Sequence, residues 1–361
     1  MKIYTKLYPL LEVMHYYNRR VNGNSISTTM FQLEHTYADR KSELHPLFSQ
    51  IIQIESLLNR ELTPDIDRLD FFFKRLDGVV YDDGTDRLPA SLLLLDAFYR
   101  NIDHFDDVEH YLSEKSMRYI RSEICSALSE NENQNPNIDS LEDLVEFIDA
   151  LPFPDNTKWR IIDLCKHFRD YSHELLQLLR PAVELVEHNI QMFDDMVKYY
   201  SEALGDGLET QRQIYALVGL DISECELVEI HPSVLGFNSV TVVMPEAPAE
   251  PLRIYMGVLM HLIGVSNISV DVSELARSMK SLGDPSRLEM LCCIREQSTY
   301  GQDLSSRFGV SPTTIYHHMN KLIMAGLVES KIIGNRVYFS MNKKNISDLI
   351  EQLRTLLLGN N

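Results

Sequence analysis

The sequence predicts a mostly α-helical protein with small β elements. Apolar residues recur at helical spacing through residues 1–215, which predicts an N-terminal helical domain. β-branched runs separated by Pro and Gly occupy residues 216–266, which predicts a β-containing connector. Residues 267–361 combine helix-capping signals with a Gly-Asn turn, which predicts a C-terminal domain of helices followed by a hairpin. A length of 361 residues fits two or three such units.

Helical periodicity in the first domain is clearest in residues 141–148, 175–179 and 183–193, each with apolar side chains on one helical face. Prolines lack an N–H group and clash with the preceding turn, so they interrupt helices. We expect such breaks at Pro152, Pro154 and Pro181.

The connector contains three β-rich runs, residues 227–230, 239–244 and 252–256, which predict one small sheet. The polar run of residues 129–137 predicts an exposed loop. A hinge is expected at residues 264–271, between the sheet and the C-terminal domain.

Helix starts and stops are well marked in the C-terminal domain. Asp284 stands before a proline and predicts a helix start, since its carboxylate can cap free N–H groups. Thr299 and Gln302 have the spacing of a reciprocal capping box, which predicts a second start. Gly309 can end that helix in a left-handed conformation, and Ser311 starts the next one. The short turn between them is typical of a helix-turn-helix.

Apolar spacing indicates which faces of these helices pack inward. Leu288, Leu291 and Ile294 recur at helical spacing in the first helix. In the third helix, residues 311–325, the core positions are Ile315, Met319 and Leu322.

The remaining side chains of residues 311–325 suit base edges in a major groove, because many are short or planar hydrogen-bonding groups near the helix start. The candidate DNA contacts on this helix are Thr313, Thr314, Tyr316, His317, Asn320 and Lys321.

A hairpin is predicted at residues 329–340, where two strands flank a Gly-Asn turn that permits positive φ. Basic residues stand beside that turn. We expect Lys331, Asn335 and Arg336 to lie along the phosphate backbone as a wing.

Taken in order, these motifs make the segment from about residue 270 to about residue 358 resemble the winged helix-turn-helix domain of the ArsR/SmtB repressor family. The resemblance rests on the Leu-Gly-Asp-Pro-Ser-Arg opening at 282–287, the helix at 311–322 with its His317-His318 pair, Ala-Gly-Leu-Val at 325–328 and Gly-Asn-Arg-Val-Tyr at 334–338. It implies a homodimer that binds double-stranded DNA, with helices 273–282 and 345–358 at the interface. Apolar stripes on both helices agree, although such stripes could also pack within one subunit.

The metal ligands of many family members are missing here. Residues 302–307 contain no cysteine, and the last helix contains neither His nor Cys. Cys292 and Cys293 project about 100° apart on a helix, which disfavours joint chelation. We interpret them as buried core thiols and expect no metal and no cofactor, with metal or redox sensing as the alternative.

Charge separates the two ends of the chain. Residues 268–361 contain 11 basic and 9 acidic residues and have a net charge of +2. Because the whole chain has a net charge of −19, residues 1–267 have a net charge of −21. Between positions 305 and 344 there are six basic residues and one acidic residue. The N-terminal region is therefore expected to lie away from DNA phosphates.

Location follows from what the sequence lacks. No segment approaches the ~18 consecutive apolar residues that span a bilayer, and the first residues have no signal-peptide pattern. Five cysteines at irregular spacing do not suggest a disulfide framework. We expect a cytoplasmic protein that does not contact a membrane.

The N-terminal region offers no catalytic constellation. Residues 103–110 hold two histidines and four carboxylates, and the pairs His104–Asp107 and Asp106–His110 could each share a helical face. A metal site is conceivable there, but a solvated acidic face is the favoured interpretation.

The isolated histidines and the glycine pair of this region are interpreted as structural residues. His167 and His173 are isolated, and the Gly-Asp-Gly at 205–207 lacks the rest of a phosphate-binding loop. Residues 71–73 are three phenylalanines that cannot all face one way, so one is expected to line a pocket or an interface.

The sequence thus predicts a homodimeric transcriptional regulator that is not an enzyme, with an unknown effector acting on the N-terminal domain. One alternative is a protein-interaction scaffold whose winged helix does not bind DNA. Another is a hydrolase or metal enzyme with a DNA-targeting tail, although no nucleophile–base or metal-ligand spacing supports it.

Overall fold

The computed structural model describes residues 2–23, 25–77, 88–95, 97–99, 104–128, 138–205, 207–218, 220–225, 227–243, 250–263, 278–333 and 336–358. The expected loop at 129–137 and hinge at 264–271 lie outside these residues.

Helices dominate the N-terminal part of the chain, as expected. They are α1 (Pro9–Val21), α2 (Ile26–Thr36), α3 (Lys41–Glu61), α4 (Ile66–Phe73), α5 (Pro89–Leu94), α6 (Phe105–Glu114), α7 (Met117–Leu128), α8 (Leu141–Asp149), α9 (Asp155–Lys166), α10 (Phe168–His188), α11 (Asp194–Leu204), α12 (Gly207–Val218) and α13 (Met260–Ile263).

The proline predictions are right at two positions and wrong at the third. Pro152 and Pro154 lie between α8 and α9. Pro181, however, lies inside α10, which runs unbroken through it. An interior proline costs about 3 kcal/mol of helix stability. The buried face of α10, which includes Leu175, Leu179 and Val183, stabilises the helix enough to offset that cost.

The three strands expected in the connector form part of one sheet. Strands β3 (Val228–Ser233) and β5 (Leu252–Gly257) pair in parallel, and β4 (Val240–Val243) pairs antiparallel with β5. One outer strand is β4, and the other, β1 (Lys2–Ile3), comes from the chain start and pairs in parallel with β3. Because β3 and β5 are buried along most of their length, this sheet belongs to the core of the helical region.

A strand that the sequence analysis missed divides the connector between two sheets. Strand β2 (Leu220–Glu224) pairs in parallel with β7 (Val328–Ile333), the first strand of the wing. The full order of that sheet is β2-β7-β8-β6, with β8 at Arg336–Met341 and β6 at Thr299–Tyr300. The wing is therefore extended by a strand from the N-terminal side of the chain.

The helix-turn-helix has the expected caps, with one exception. Asp284 accepts the N–H of Arg287 at 2.8 Å to start α14 (Pro285–Cys293), and Gly309 adopts φ 69° after α15 (Gly301–Phe308). The expected capping box at Thr299 is wrong. Thr299 lies in β6, and α15 begins after Tyr300 without a side-chain cap. Pairing of Thr299 with Phe339 of β8 fixes its backbone in a strand.

The prediction for the first helix of this motif is wrong at Leu288. Leu291 and Ile294 are buried, but Leu288 is 47% exposed. At about 100° per residue, the buried arc runs from Met290 through Ile294 to Leu291, and Leu288 lies about 60° beyond it. Met290 occupies the inward position instead.

The last helices complete the domain. Residues 278–282 are helical, α16 spans Pro312–Met324 and α17 spans Lys343–Leu358. None of the helices in the described ranges is long and apolar enough to cross a membrane.

Candidate nucleic-acid interface

Helix α16 is anchored by the apolar stripe that the sequence predicts. Ile315, Met319 and Leu322 are fully buried against the rest of the C-terminal domain. The helix starts at Ser311, whose Oγ accepts the N–H of Thr314 at 3.1 Å. Ser305 of α15 donates its hydroxyl to the Val310 carbonyl and fixes the turn between the two helices. Helix α16 is therefore held firmly on one side.

Of the candidate contacts on α16, Asn320 reaches the surface, whereas His317 does so only in part because its Nε2 is buried. Asn320 is exposed and His317 is half-buried. The backbone of Thr313 is helical, but its side chain lies outside the described residues. Asn320 is thus the base-contacting candidate with the greatest freedom to reach a ligand.

Tyr316 lies against the wing sheet. Its ring meets Phe339 of β8 edge-on, with ring centroids 5.6 Å apart. It also passes close to Gly301, where an added Cβ would lie 3.4 Å from the Tyr316 hydroxyl. Burial raises the pKa of Tyr316 above its ordinary value, and the neighbouring Tyr300 adds to the shift. Tyr316 braces α16 against the sheet, a role that the helical pattern alone did not reveal.

Two other candidates on α16 lie in the interior. Thr314 is fully buried, and its hydroxyl lies 2.8 Å from the Ser311 hydroxyl at the helix start. Lys321 is only 5% exposed. Their positions correct the expectation that both side chains face outward. A helical face is about 100° wide or more, so spacing alone assigns residues at its edges poorly.

The wing carries its two basic residues in different environments. Lys331 Nζ lies 3.4 Å from the Asp221 carboxylate on β2. Arg336 is exposed, and its guanidinium stacks 5.3 Å from the centre of the Tyr300 ring. Asn335 lies outside the described residues. The wing therefore presents Arg336 to solvent, while Lys331 is held by an acidic neighbour.

An aromatic pair supports the exposed side of the wing and was not found from the sequence. The rings of Tyr300 and Tyr338 contact each other in a tilted arrangement, with centroids 5.6 Å apart, next to Arg336. The pair arises because Tyr300 and Tyr338 are directly opposite each other in the β6–β8 ladder. Only the strand register brings these distant positions together.

The second histidine of the pair at 317–318 faces inward. His318 is buried, and burial lowers its pKa below the ordinary value. The Asp284 carboxylate opposes that shift, and the charges of Arg287 and Lys321 add to it. Its surroundings therefore favour the neutral form of His318, which packs beside the start of α14.

The interpretation of the vicinal cysteines as buried core thiols is wrong. Cys292 is exposed and Cys293 is half-buried at the end of α14. Helix α14 ends there with Ile294 turned into the core, which leaves Cys292 on the opposite side. Among the described residues, no group of three or more His, Cys, Asp or Glu side chains could hold a metal ion.

The acidic cluster of α6 is engaged by the neighbouring helix α10. Asp106 forms an ion pair with Arg180 at 2.7 Å, and Glu109 lies 2.6 Å from His173. His110 pairs with Glu114 within α6. Asp103 lies outside the described residues. These contacts give the cluster and His173 a role in helix packing.

Two further sequence features have structural explanations. Gly205 follows α11 with φ 70°, so the first glycine of the Gly-Asp-Gly ends a helix. Phe72 and Phe73 are fully buried, whereas Phe71 is half-buried beneath the guanidinium groups of Arg68 and Arg160. That one of the three lines a pocket or an interface stays a prediction.

Comparison with known proteins identifies the C-terminal domain. A family model described as "Bacterial regulatory protein, arsR family" matches residues 284–330. An arsenical resistance operon repressor of Staphylococcus aureus is 32% identical over 87 residues, which cover 24% of this chain and 84% of that protein. The chain belongs to the arsR family.

Other relatives support the same assignment for this arsR-family protein. An arsenical resistance operon repressor of Staphylococcus xylosus is 35% identical over 79 residues, covering 22% of this chain and 75% of that protein. A SmtB homologue of Synechocystis, described as a transcriptional repressor, is 26% identical over 101 residues, covering 26% of this chain and 76% of its own length. These similarities leave the N-terminal part of the chain unmatched. No solved structure matches the chain significantly.

Proposed function

We propose that this arsR-family protein is a sequence-specific DNA-binding transcriptional regulator that acts as a homodimer in the cytoplasm. In this proposal α16 enters the major groove and the wing lies along the backbone. The observation that carries it is the exposure of Asn320 on a helix whose opposite face is fully buried. Asn side chains can make paired hydrogen bonds to adenine in the major groove.

The proposed contacts are fewer than the sequence suggested. Asn320 and His317 contact bases, and Arg336 contacts phosphate. Thr314, Tyr316 and Lys321 support the helix from inside or from the wing side. Lys331 contacts phosphate only when Asp221 releases it. Thr313 and Asn335 remain candidates on the sequence alone.

Dimerisation is proposed from exposed apolar side chains in the C-terminal domain. Met279 is 44% exposed and Ile350 of α17 is 60% exposed. Both lie in the helices that the family resemblance places at the subunit interface. Recognition helices in a symmetric dimer must lie about one DNA turn apart, ~34 Å, to contact two half-sites. A dimer would therefore bind a site with twofold sequence symmetry.

Selection of DNA fragments from random-sequence pools with the full chain tests this function. We expect enrichment of a palindromic site, and Asn320→Ala to weaken binding to it by roughly 1–3 kcal/mol per half-site contact. Asn156→Ala, at an exposed position in α9, is the matched control and should bind as the unchanged protein does. Absence of enrichment would favour the alternative of a protein-interaction scaffold.

A further inference from the structure

A cavity lies in the N-terminal part, far along the chain from the DNA-binding helices. Its cavity volume is about 80 Å³, and the cavity is partly open to solvent. The start of α1, helices α6 and α10, and the sheet residue His231 surround it. Its apolar wall includes Leu10, Phe105, Val108 and Val183. A concave, mostly apolar site with a few polar groups is of the kind that binds small molecules.

A buried polar group lines this cavity. His231 is 3% exposed and lies between the rings of Tyr4 and Tyr255, with centroids 4.4 and 5.0 Å away. Its Nε2 faces the Glu229 carboxylate at 3.5 Å, which is too long for a strong hydrogen bond. Glu229 is already engaged by the Tyr4 hydroxyl at 2.8 Å and by Arg253 at 3.2 Å. A buried nitrogen with only this long contact favours a ligand that supplies a better-placed partner.

The cavity also has a positive and a negative group that do not pair with each other. Lys6 and Glu187 both line it and both are exposed. Within the described ranges, neither side chain forms an ion pair or hydrogen bond. Opposite charges held around one cavity but left unpaired suit a ligand that carries both charges.

Helix ends reinforce this charge arrangement. The start of α1, at Tyr8 and Pro9, opens on the cavity, and no side chain caps it. The first-turn N–H groups of a helix have no acceptor within the helix and attract an anion. Glu187 lies in the last turn of α10, where the helix dipole favours a cation. An anionic ligand group beside Lys6 and a cationic group beside Glu187 would therefore each meet a favourable helix end.

We propose that this cavity binds a free α-amino acid with an apolar side chain. Its carboxylate lies at the start of α1 beside Lys6, and its ammonium group lies beside Glu187 at the end of α10. The side chain packs on Leu10, Phe105 and Val183. A ligand oxygen or nitrogen completes the hydrogen bonding of His231. This binding does not depend on the proposed DNA-binding function.

Isothermal titration calorimetry of the full chain without DNA tests the proposal. The probes are L-leucine, L-methionine and L-phenylalanine, with leucinol lacking the carboxylate and 4-methylpentanoate lacking the ammonium group. We expect saturable binding of at least one amino acid at one site per chain. For leucine, each analogue should bind at least about fivefold more weakly, the effect of one partly exposed charge pair. No saturable binding of any of the three amino acids up to ~10 mM would overturn the proposal.

Substitutions at the charged groups assign the orientation. Lys6→Gln should weaken leucine binding about fivefold without further weakening leucinol binding. Glu187→Gln should weaken leucine binding similarly without further weakening 4-methylpentanoate binding. Both positions are exposed, so the fold should persist. Glu184→Gln, one turn earlier in α10, is the matched control. An equal loss of leucine affinity in Glu184→Gln would overturn the proposal. So would unchanged leucine affinity in both Lys6→Gln and Glu187→Gln.

The variant His231→Phe tests the buried nitrogen separately. Phenylalanine preserves a ring between Tyr4 and Tyr255 while removing both ring nitrogens, so the aromatic stack should remain. We expect weaker binding of leucine with unchanged helical content by circular dichroism. Full leucine affinity in this folded variant would contradict the role of His231.

Discussion

Lys331 Nζ lies 3.4 Å from the Asp221 carboxylate, although the two residues are 110 positions apart in the chain. Their backbones are directly opposite each other in the β2–β7 ladder. Burial alone would raise the pKa of Asp221, but hydrogen bonds from Ser223 and the charge of Lys331 hold it below its ordinary value. Tyr215 of α12 donates a hydrogen bond to Glu329 beside them, which raises the Tyr215 pKa after the larger effect of burial. These contacts connect the wing to β2 and α12, and one of them involves Lys331, which is proposed to contact DNA.

Release of this contact should strengthen DNA binding. Asp221→Asn removes the charge that holds Lys331 and leaves the side-chain volume nearly unchanged. We expect tighter binding to the selected DNA site and a slope of log K against log salt that is steeper by about 0.9, because one more phosphate is neutralised. Salt-dependent fluorescence anisotropy measures both quantities.

Asp170→Asn, at an exposed position in α10, is the control for this substitution and should change neither quantity. An unchanged slope in Asp221→Asn would mean that Lys331 does not reach phosphate even when unpaired.

The two basic residues of the wing should differ in their effect. Arg336→Ala should weaken specific and non-specific binding alike and lower the salt slope by about one, since Arg336 is exposed. Lys331→Ala should have a smaller effect in the unchanged protein and a full effect in the Asp221→Asn background. The same anisotropy titrations compare the unchanged protein, the three single variants and the double variant. Equal effects of Lys331→Ala in both backgrounds would show that the ion pair does not restrain Lys331.

Tyr316 should contribute to stability more than to base recognition. Removing its ring in Tyr316→Ala deletes the contact with Phe339, and we expect a loss of about 1–3 kcal/mol in the free energy of unfolding. Tyr316→Phe keeps the ring and should be nearly as stable as the unchanged protein. Denaturant unfolding measures both. If Tyr316→Phe instead lost DNA affinity with full stability, its hydroxyl would be a DNA contact after all.

The proposed dimer interface should be sensitive to charge. Ile350→Glu places a carboxylate on an exposed apolar position of α17, where desolvation on assembly would be costly. We expect a monomer by sedimentation equilibrium and much weaker binding to the palindromic site. Trp159→Glu, at an exposed position in α9, is the control and should remain dimeric. Retention of the dimer by Ile350→Glu would place the interface elsewhere.

Stability should depend on pH through Glu12. Its buried carboxylate accepts the N–H of Val234 at 3.1 Å and that of Leu235 at 2.5 Å. Burial raises the pKa of Glu12 to about 7 from its ordinary 4.5, and these hydrogen bonds oppose the shift. A raised folded-state pKa gives stability that is complete below pH 4.5 and is lost as pH rises through 7. The loss amounts to roughly 3 kcal/mol.

The variant Glu12→Gln isolates this effect, because it cannot ionise. The difference in unfolding free energy between Glu12→Gln and the unchanged protein should shift in favour of the variant between pH 4.5 and pH 8. His15, whose pKa burial lowers to about 4, is present in both proteins and cancels in the difference. A pH-independent difference would show that Glu12 keeps an ordinary pKa.

Local signals in the sequence determined the helix-turn-helix. The caps at Asp284 and Ser311 and the left-handed Gly309 act within a few residues, so the chain needs no distant partner to specify them. The same holds for the buried stripe of α16, because helical periodicity places its residues on one face.

Only the tertiary structure decided which side chains share a site. Strand β2 is five residues long and acquires its role from pairing with β7, a contact without any local signal. The ring of Tyr316 contacts Phe339 because the wing sheet packs against α16. His231 lines the cavity because β3 lies between β1 and β5 and because helices α1, α6 and α10 meet there. Such contacts join positions far apart in sequence, and periodicity within a single element carries no information about them.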